Sequence, residues 1–583
     1  MKRILIVGTF VAAIATGSYL LTQKTPLSTQ TVLNYIPENT ALFSGQLTPF
    51  PIKNYINSMA GIDSHSPNDI ITSIYESENY DPTNTKLNFF LNLAQRYIDN
   101  MQDAEAFIAT FGLAEEIQGY FYTLGAIPVL KIDVIDPDAI WALLDNAEAE
   151  SGFTHKQRQI KQRDYRVYAL TEEANTDLLE LIVSQHDKVL TITFNTKLNT
   201  PLLLEHALGL TPIANSLANS NTLDNLIEKH GFVSQSISYI NHQALIQAIT
   251  SPSDSLLGQH ISTLSAQQDQ AALQIYQLPQ CKSEFTNIAN NWPRTVFGFN
   301  KFEVGEDSAT FDMSMIVESN NQTILTALTQ MTGFIPDYVN DLNNTVLALG
   351  LGVDVGNLSR AASDIWNELQ QPNYLCPPLQ EIQSTLEQYN PIMLSVMTAM
   401  ANGIKGVSGA IIDYSLDKNK SAVTIKSLDA IISLSANDPR TLFNIISSLR
   451  PELADMKLPA NGNILELSSL IPMSPLPGIN PKLIMHKEHM VIFNGDKAKK
   501  VAIALGEKPI TATGLYSLSI DYSKAFTPLV TAAELSGQDI PPELEDLKHY
   551  NLRFNTGLQI NEQGIEVTSF IDSKPNSKPK TMP

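Results

Sequence analysis

Histidine offers the first prospect of chemistry in this chain. His486 and His489 stand three residues apart in MHKEHM. On a helix, that spacing puts two imidazoles on one face, within reach of a shared metal. The pair lies between KLIM and MVIFN, two apolar runs that read as strands. At a hairpin tip, side chains three apart diverge, so a solvated turn is expected and no metal site. The corresponding tip SQHD keeps one histidine, His186.

Glycine and serine motifs are incomplete. ALGLGVDVG supplies Gly350, Gly352 and Gly356, but a dinucleotide fingerprint needs its third glycine one position earlier. A glycine-relieved strand end is the plainer reading. GVSGA at 406–410 begins like a nucleophile elbow with Gly406 and Ser408, yet Ala410 stands where the closing glycine belongs. It reads as a small-residue turn. The ten histidines are scattered without an identifiable partner, and Glu115-Glu116 falls on the solvated face of an amphipathic run. No catalytic, metal or cofactor-binding residue is assigned, and no cofactor is expected.

Three features stand apart. THKQRQIKQRDYR carries Lys156, Arg158, Lys161, Arg163 and Arg166 in an otherwise acidic chain. Such a strip suits an anionic partner such as a lipid headgroup; the alternative is a polar hairpin balanced by nearby carboxylates. In PIMLSVMTAMANG, Met393, Met397 and Met400 recur at helical spacing, as either a deformable wall for an apolar ligand or a core helix. Cys281 and Cys376 are the only cysteines and are expected to form one structural disulfide. In the chain-entropy model, a loop near a hundred residues gains about 4.7 kcal/mol from such a bridge.

The elements that position these residues come twice. VLKIDVIDPDAIWALLDNA near residue 129 and DAIISLSANDPRTLFNIISSL near 429 share an alternating run, Asp-Pro, and an amphipathic run. Each is followed by a short strand, a hairpin with a polar tip and a helix, then GFVSQSISYINHQALIQAI or TGLYSLSIDYSKAFTPLV. That alignment pairs Gly231 with Gly514 and Tyr239 with Tyr522. Each copy closes with two alternating strands around a Gly-containing acidic turn, a hairpin signal. The fold class expected is α+β with an internal duplication. Two related lobes of mostly antiparallel sheet, 31–318 and 335–573, pack with helices, each sheet keeping one face partly wet. The lobes follow one N-terminal transmembrane or signal helix. The disulfide would tie the end of the first copy to the early part of the second.

Met1-Lys2-Arg3 is a basic head, and Ile4 to Leu21 carries no charge. Eighteen helical residues reach roughly 27 Å, enough for a thin bilayer. Thr22-Gln23-Lys24 makes a poor cleavage site, which favours a retained anchor at 1–24 over a cleaved signal peptide. Either places the body outside the cytoplasm, in the periplasm if the anchor sits in an inner membrane. The Lys/Pro-rich tail 574–583 is expected to be disordered. The 583 residues carry 60 acidic and 38 basic side chains, a net charge of −22. That field disfavours nucleic acid as a partner.

IPENTALFSGQL, with Pro37, Asn39 and Thr40 before an apolar strand, resembles the opening of many exported bacterial envelope proteins of unknown function. The resemblance spans a dozen residues and implies an envelope location without catalytic residues. The reading that follows is a non-catalytic, membrane-anchored periplasmic protein that binds or scaffolds another envelope component, protein or lipid. The alternatives are a carrier or sensor of an apolar ligand, and a hydrolase whose site assembles from distant residues.

Overall fold

The computed structural model describes residues 29–59, 71–77, 80–101, 103–171, 178–265, 273–306, 308–389, 391–399, 401–419, 422–449, 456–467, 479–536 and 551–574. The apolar run Ile4–Leu21 and almost all of the tail lie outside them. Among the described residues no helix is long and apolar enough to cross a membrane. The chain divides into two compact units at Met313/Ser314. Both are α+β and built on antiparallel strands.

In unit 1 the strands are β1 (Leu42–Gln46), β2 (Gly119–Leu124), β3 (Ile127–Asp133), β4 (Lys156–Ile160), β5 (Arg163–Ala169), β6 (Leu179–His186), β7 (Val189–Thr196), β8 (Ser236–Asn241), β9 (Arg294–Val304) and β10 (Ala309–Glu318), the last crossing the unit boundary. They pair in the order β4-β5-β6-β7-β3-β2-β1-β8-β9-β10. The strands of unit 2 are β11 (Leu347–Leu351), β12 (Ile404–Asn419), β13 (Ala422–Ala436), β14 (Ile464–Glu466), β15 (Lys482–Met485), β16 (His489–Asn494), β17 (Tyr516–Asp521), β18 (Leu552–Asn561) and β19 (Gly564–Ser573). Their order is β14-β15-β16-β13-β12-β11-β17-β18-β19. From β5 through β10, unit 1 has the same order, with the first strand central in both. The added edge strand β4 is the one that carries the start of the basic strip.

The two Asp-Pro phrases do the same local work. Asp136 caps helix α4 (Pro137–Ser151), accepting from the Asp138 and Ala139 amides, with Pro137 in the first turn, where its missing N–H is not needed. Asp438 accepts from the Arg440 and Thr441 amides at the start of α7 (Pro439–Leu449). Between them in chain order lie α5 (Pro201–Ala207) and α6 (Ile392–Ala399); α1 (Ile52–Met59), α2 (Thr85–Asn100) and α3 (Ala104–Phe111) precede α4, and α8 (Asp496–Leu505) follows α7.

One sequence alignment needs correction. Tyr239 lies inside β8, opposite Phe43, whereas Tyr522 is the first residue of the helix after β17. The residue of β17 in Tyr239's place is Ser519, opposite Ala348.

The sheet of unit 2 keeps one face partly wet, as expected, whereas that of unit 1 does not. In unit 1 both faces are covered. Phe50, Phe89, Ile140 and Leu144 from the α1–α4 layer pack with Tyr168, Leu181, Val183 and Phe194. On the other face Leu204 and Leu208 cover Tyr165, Val167 and Ile182. Burial on both sides explains why β6 is nearly all apolar from Leu179 to Val183 instead of alternating. In unit 2, Phe334, Ile335, Tyr338 and helix α8 cover Ala348, Ala410, Ile431 and Val491. On the opposite face the helix Tyr522–Ser536 covers one end, where the Tyr414 hydroxyl donates to the Ala525 carbonyl, and Met456, Leu458 and Leu467 pack on Leu483 and Met490 at the β15–β16 edge; among the described residues the stretch between them is open.

Residues 406–410 form strand β12, not a turn. Gly406 is required by a close approach: a Cβ there would lie 2.0 Å from the Phe334 carbonyl oxygen. The Phe334 amide donates to Lys405 O at 2.7 Å, and Gly333 N to Gly352 O at 2.8 Å.

Candidate functional site

The residues singled out for chemistry are mostly occupied with structural work. His489 is buried at the end of β16, its Nδ1 2.9 Å from the Ser435 hydroxyl and its Nε2 2.9 Å from the Lys508 carbonyl. The carbonyl can only accept, so Nε2 donates and Nδ1 accepts from Ser435. Burial lowers the His489 pKa. His486 reaches the Ala502 carbonyl at 2.9 Å. The tip is therefore docked on the α8 segment, which corrects the solvated-turn reading. Ser408 is 3 % exposed and faces the core. Cys281 and Cys376 are both fully buried and disulfide-bonded.

The basic strip forms the β4–β5 hairpin, which turns through Lys161 and Gln162, both at positive φ. Arg158 makes two 2.8 Å hydrogen bonds to Glu180, itself 5 % exposed. Lys161 sits 2.5 Å from Glu205, and Arg163 donates to the Leu208 carbonyl at 3.4 Å. Arg166 meets Asp145 at 2.5 Å and stacks over Trp141, 4.5 Å from the ring centre. Lys156 is exposed on β4. Bidentate and stacked guanidiniums are held by the fold, which leaves less of this charge to an outside anion.

Arg166 also enters a cluster not visible in the sequence. Asp145, Glu148 and His155 bring ligand atoms within 4.8 Å of one another. His155 Nδ1 is 2.6 Å from Glu148, the Tyr168 hydroxyl donates to the same carboxylate at 2.8 Å, and Arg166 lies 3.5 Å away. A resident guanidinium already supplies the cation these carboxylates need. The arrangement is an ion-pair network, not a metal cradle. Its only sequence trace is the Asp145-x-x-Glu148 spacing one turn apart on α4. Lys131 was also missed: 4 % exposed on β3, it donates to Thr191 Oγ1 at 3.0 Å, and burial brings its pKa down to about 7.

Of the methionine stripe, Met393 on α6 is 68 % exposed; the Met397 and Met400 side chains lie outside the described residues. Met393 therefore lies on the solvent side of α6.

The feature without an internal role is the open sheet face of unit 2. Leu347, Leu349 and Leu351 alternate outward along β11 with exposures of 38, 44 and 48 %. Leu351 pairs with Val407, and the Leu349 row runs through Gly409 to Ile432 and Ile492. Val407 is 44 % exposed, Ile432 59 % and Ile492 37 %. Half-buried Tyr516, Leu518 and Ile520 continue the face onto β17. At about 200 Å² per fully exposed aliphatic residue, the six most exposed side chains present on the order of 500 Å², the size of the largest patch on an ordinary monomer. None of these residues lines the cavities of about 430 Å³ beside Asn241 or 340 Å³ beside Arg553. In unit 1 the same row contains Ile192 and Val183, which the helical layer covers.

The fold and this face define a two-unit α+β protein with an uncovered apolar stretch on one sheet face among the described residues. No family model, curated protein or solved structure matches the chain.

Proposed function

We propose that this chain is a non-catalytic envelope protein that binds a protein component through the open sheet face of unit 2. The 18-residue uncharged run after Met1-Lys2-Arg3 supports retention at the inner membrane with the body in the periplasm. The matching strand orders, with Asp136 and Asp438 capping equivalent helices, support descent of the two lobes from one duplicated ancestor. After duplication, one copy retained a helical cover on this face and the other presents it. The observation that carries the reading is the alignment of Leu347, Leu349, Leu351, Val407, Ile432 and Ile492 on one uncharged surface.

A photo-crosslinking amino acid at Leu349 in intact cells tests it. A discrete protein adduct at Leu349, absent when the same group replaces exposed Leu375, is expected. Equal labelling at both positions would remove the proposal. The second reading, an apolar-ligand carrier, draws on the exposure of Met393. Against it, a lipid chain needs a concave site that encloses most of its surface, and this face is open. Stoichiometric lipid in the purified protein would favour the carrier.

A further inference from the structure

We infer that the occupant of the open face is a second copy of this chain, packed sheet on sheet about a two-fold axis. The inference rests on the reading of that face as a protein-binding surface and names its partner.

Three properties of the face fit a copy of itself. The first is size. Adding the half-buried Ile411, Leu434, Tyr516, Leu518 and Ile520 brings the apolar surface to about 700 Å², against roughly 800 Å² per partner in a standard interface. The second is shape. Between the helix Tyr522–Ser536 and the side chains of Met456, Leu458 and Leu467, the adjacent strands β16-β13-β12-β11-β17 leave an apolar strip, and two such strips stack about 10 Å apart with interleaved side chains. The third is composition. Among its described residues the face presents aliphatic and aromatic side chains with Gly409, and no charge that would demand a complementary one. An uncharged surface is self-complementary under a two-fold axis, where each contact of residue i with j recurs as j with i. The rest of the molecule is acidic, with a net charge of −22 per chain. Two copies repel through water until salt screens them over about 8 Å at physiological strength. Apolar contact opposed by like charge therefore gives a dimer that strengthens as salt rises.

The test uses the full chain purified in detergent, examined by sedimentation equilibrium from 0.05 to 0.5 M NaCl. A monomer–dimer equilibrium that shifts toward dimer with salt is expected. Leu349→Asp places a carboxylate on the face at a position already 44 % exposed, so the fold is retained; its dimer dissociation constant should rise about a hundredfold. Thermal unfolding of L349D checks that retention.

Because both native cysteines are disulfide-bonded, a new thiol stands alone. Cysteine is placed in turn at Leu349, Val407 and Ile432. The position nearest the axis should give a reducible species of doubled mass, while Tyr389→Cys, 72 % exposed outside the face, should not. A chain that stays monomeric and forms no face-specific disulfide overturns the inference. If Leu349 then crosslinks to a different protein in cells, the binding function stands and only the partner is wrong. If it crosslinks to nothing, both fall.

Discussion

The ammonium of Lys131 lies 2.8 Å from the carbonyl oxygen of Ala207, at the C-terminal end of α5. Helix C-termini leave carbonyls unpaired and carry partial negative charge, so a cation is at home there. Among the described residues no carboxylate pairs with Lys131. Two strand positions on, Asp133 is pushed up to about 7 by burial, with Lys188 opposing.

These two groups titrate in adjoining windows. Between about 7 and its ordinary 10.5, Lys131 holds a proton only in the unfolded chain, so its contribution to stability rises with pH. Between 3.8 and about 7, Asp133 holds one only in the folded chain, so its contribution falls as pH rises. The expected outcome is a stability minimum near pH 7 in urea titrations. Lys131→Met should flatten the alkaline rise and Asp133→Asn the acidic fall.

The basic strip should behave as structure. Arg158→Ala leaves the buried Glu180 carboxylate with only the Asn195 amide as a donor and should destabilise by about 2 kcal/mol. Lys156→Gln with Lys161→Gln should leave binding to anionic phospholipid vesicles unchanged, measured by co-sedimentation. A drop in vesicle binding would restore the strip as an anion site.

The two caps should be equivalent. Asp136→Ala and Asp438→Ala each remove acceptors for helix N-terminal amides and should cost about 1 kcal/mol in chemical denaturation. A loss at only one position would weaken the correspondence of the two helices.

Gly406→Val should be among the most damaging single changes in unit 2. Its Cβ meets backbone at Phe334, which cannot yield as a flexible side chain can, so a loss of about 3 kcal/mol or more is expected. Gly462, with open space around its Cβ position, marks the contrast, although its positive φ still penalises a side chain.

Much of the architecture was legible in the sequence because it is written locally. Asp-Pro before an amphipathic run marks a cap, and alternating runs around a polar tip mark a hairpin. The rest depends on what arrives from elsewhere in the chain. His489 looked solvated because its partners, Ser435 and Lys508, return from other strands and loops. GVSGA looked like a turn because Gly406 answers to the backbone of Phe334, far upstream in the chain. Arg166 was visible, but Asp145 and Glu148 beneath it were not. LALGL is apolar at nearly every position, so the sequence does not say which side of β11 stays uncovered.

The central place of each unit's first strand sets an order of events. Phe43 waits for Tyr239, nearly two hundred residues later, and Ala348 for Ser519. A chain that emerges N-terminus first at 5–20 residues per second leaves β1 without its second neighbour for about 10–40 s. During that interval a bare strand edge is available to any passing peptide.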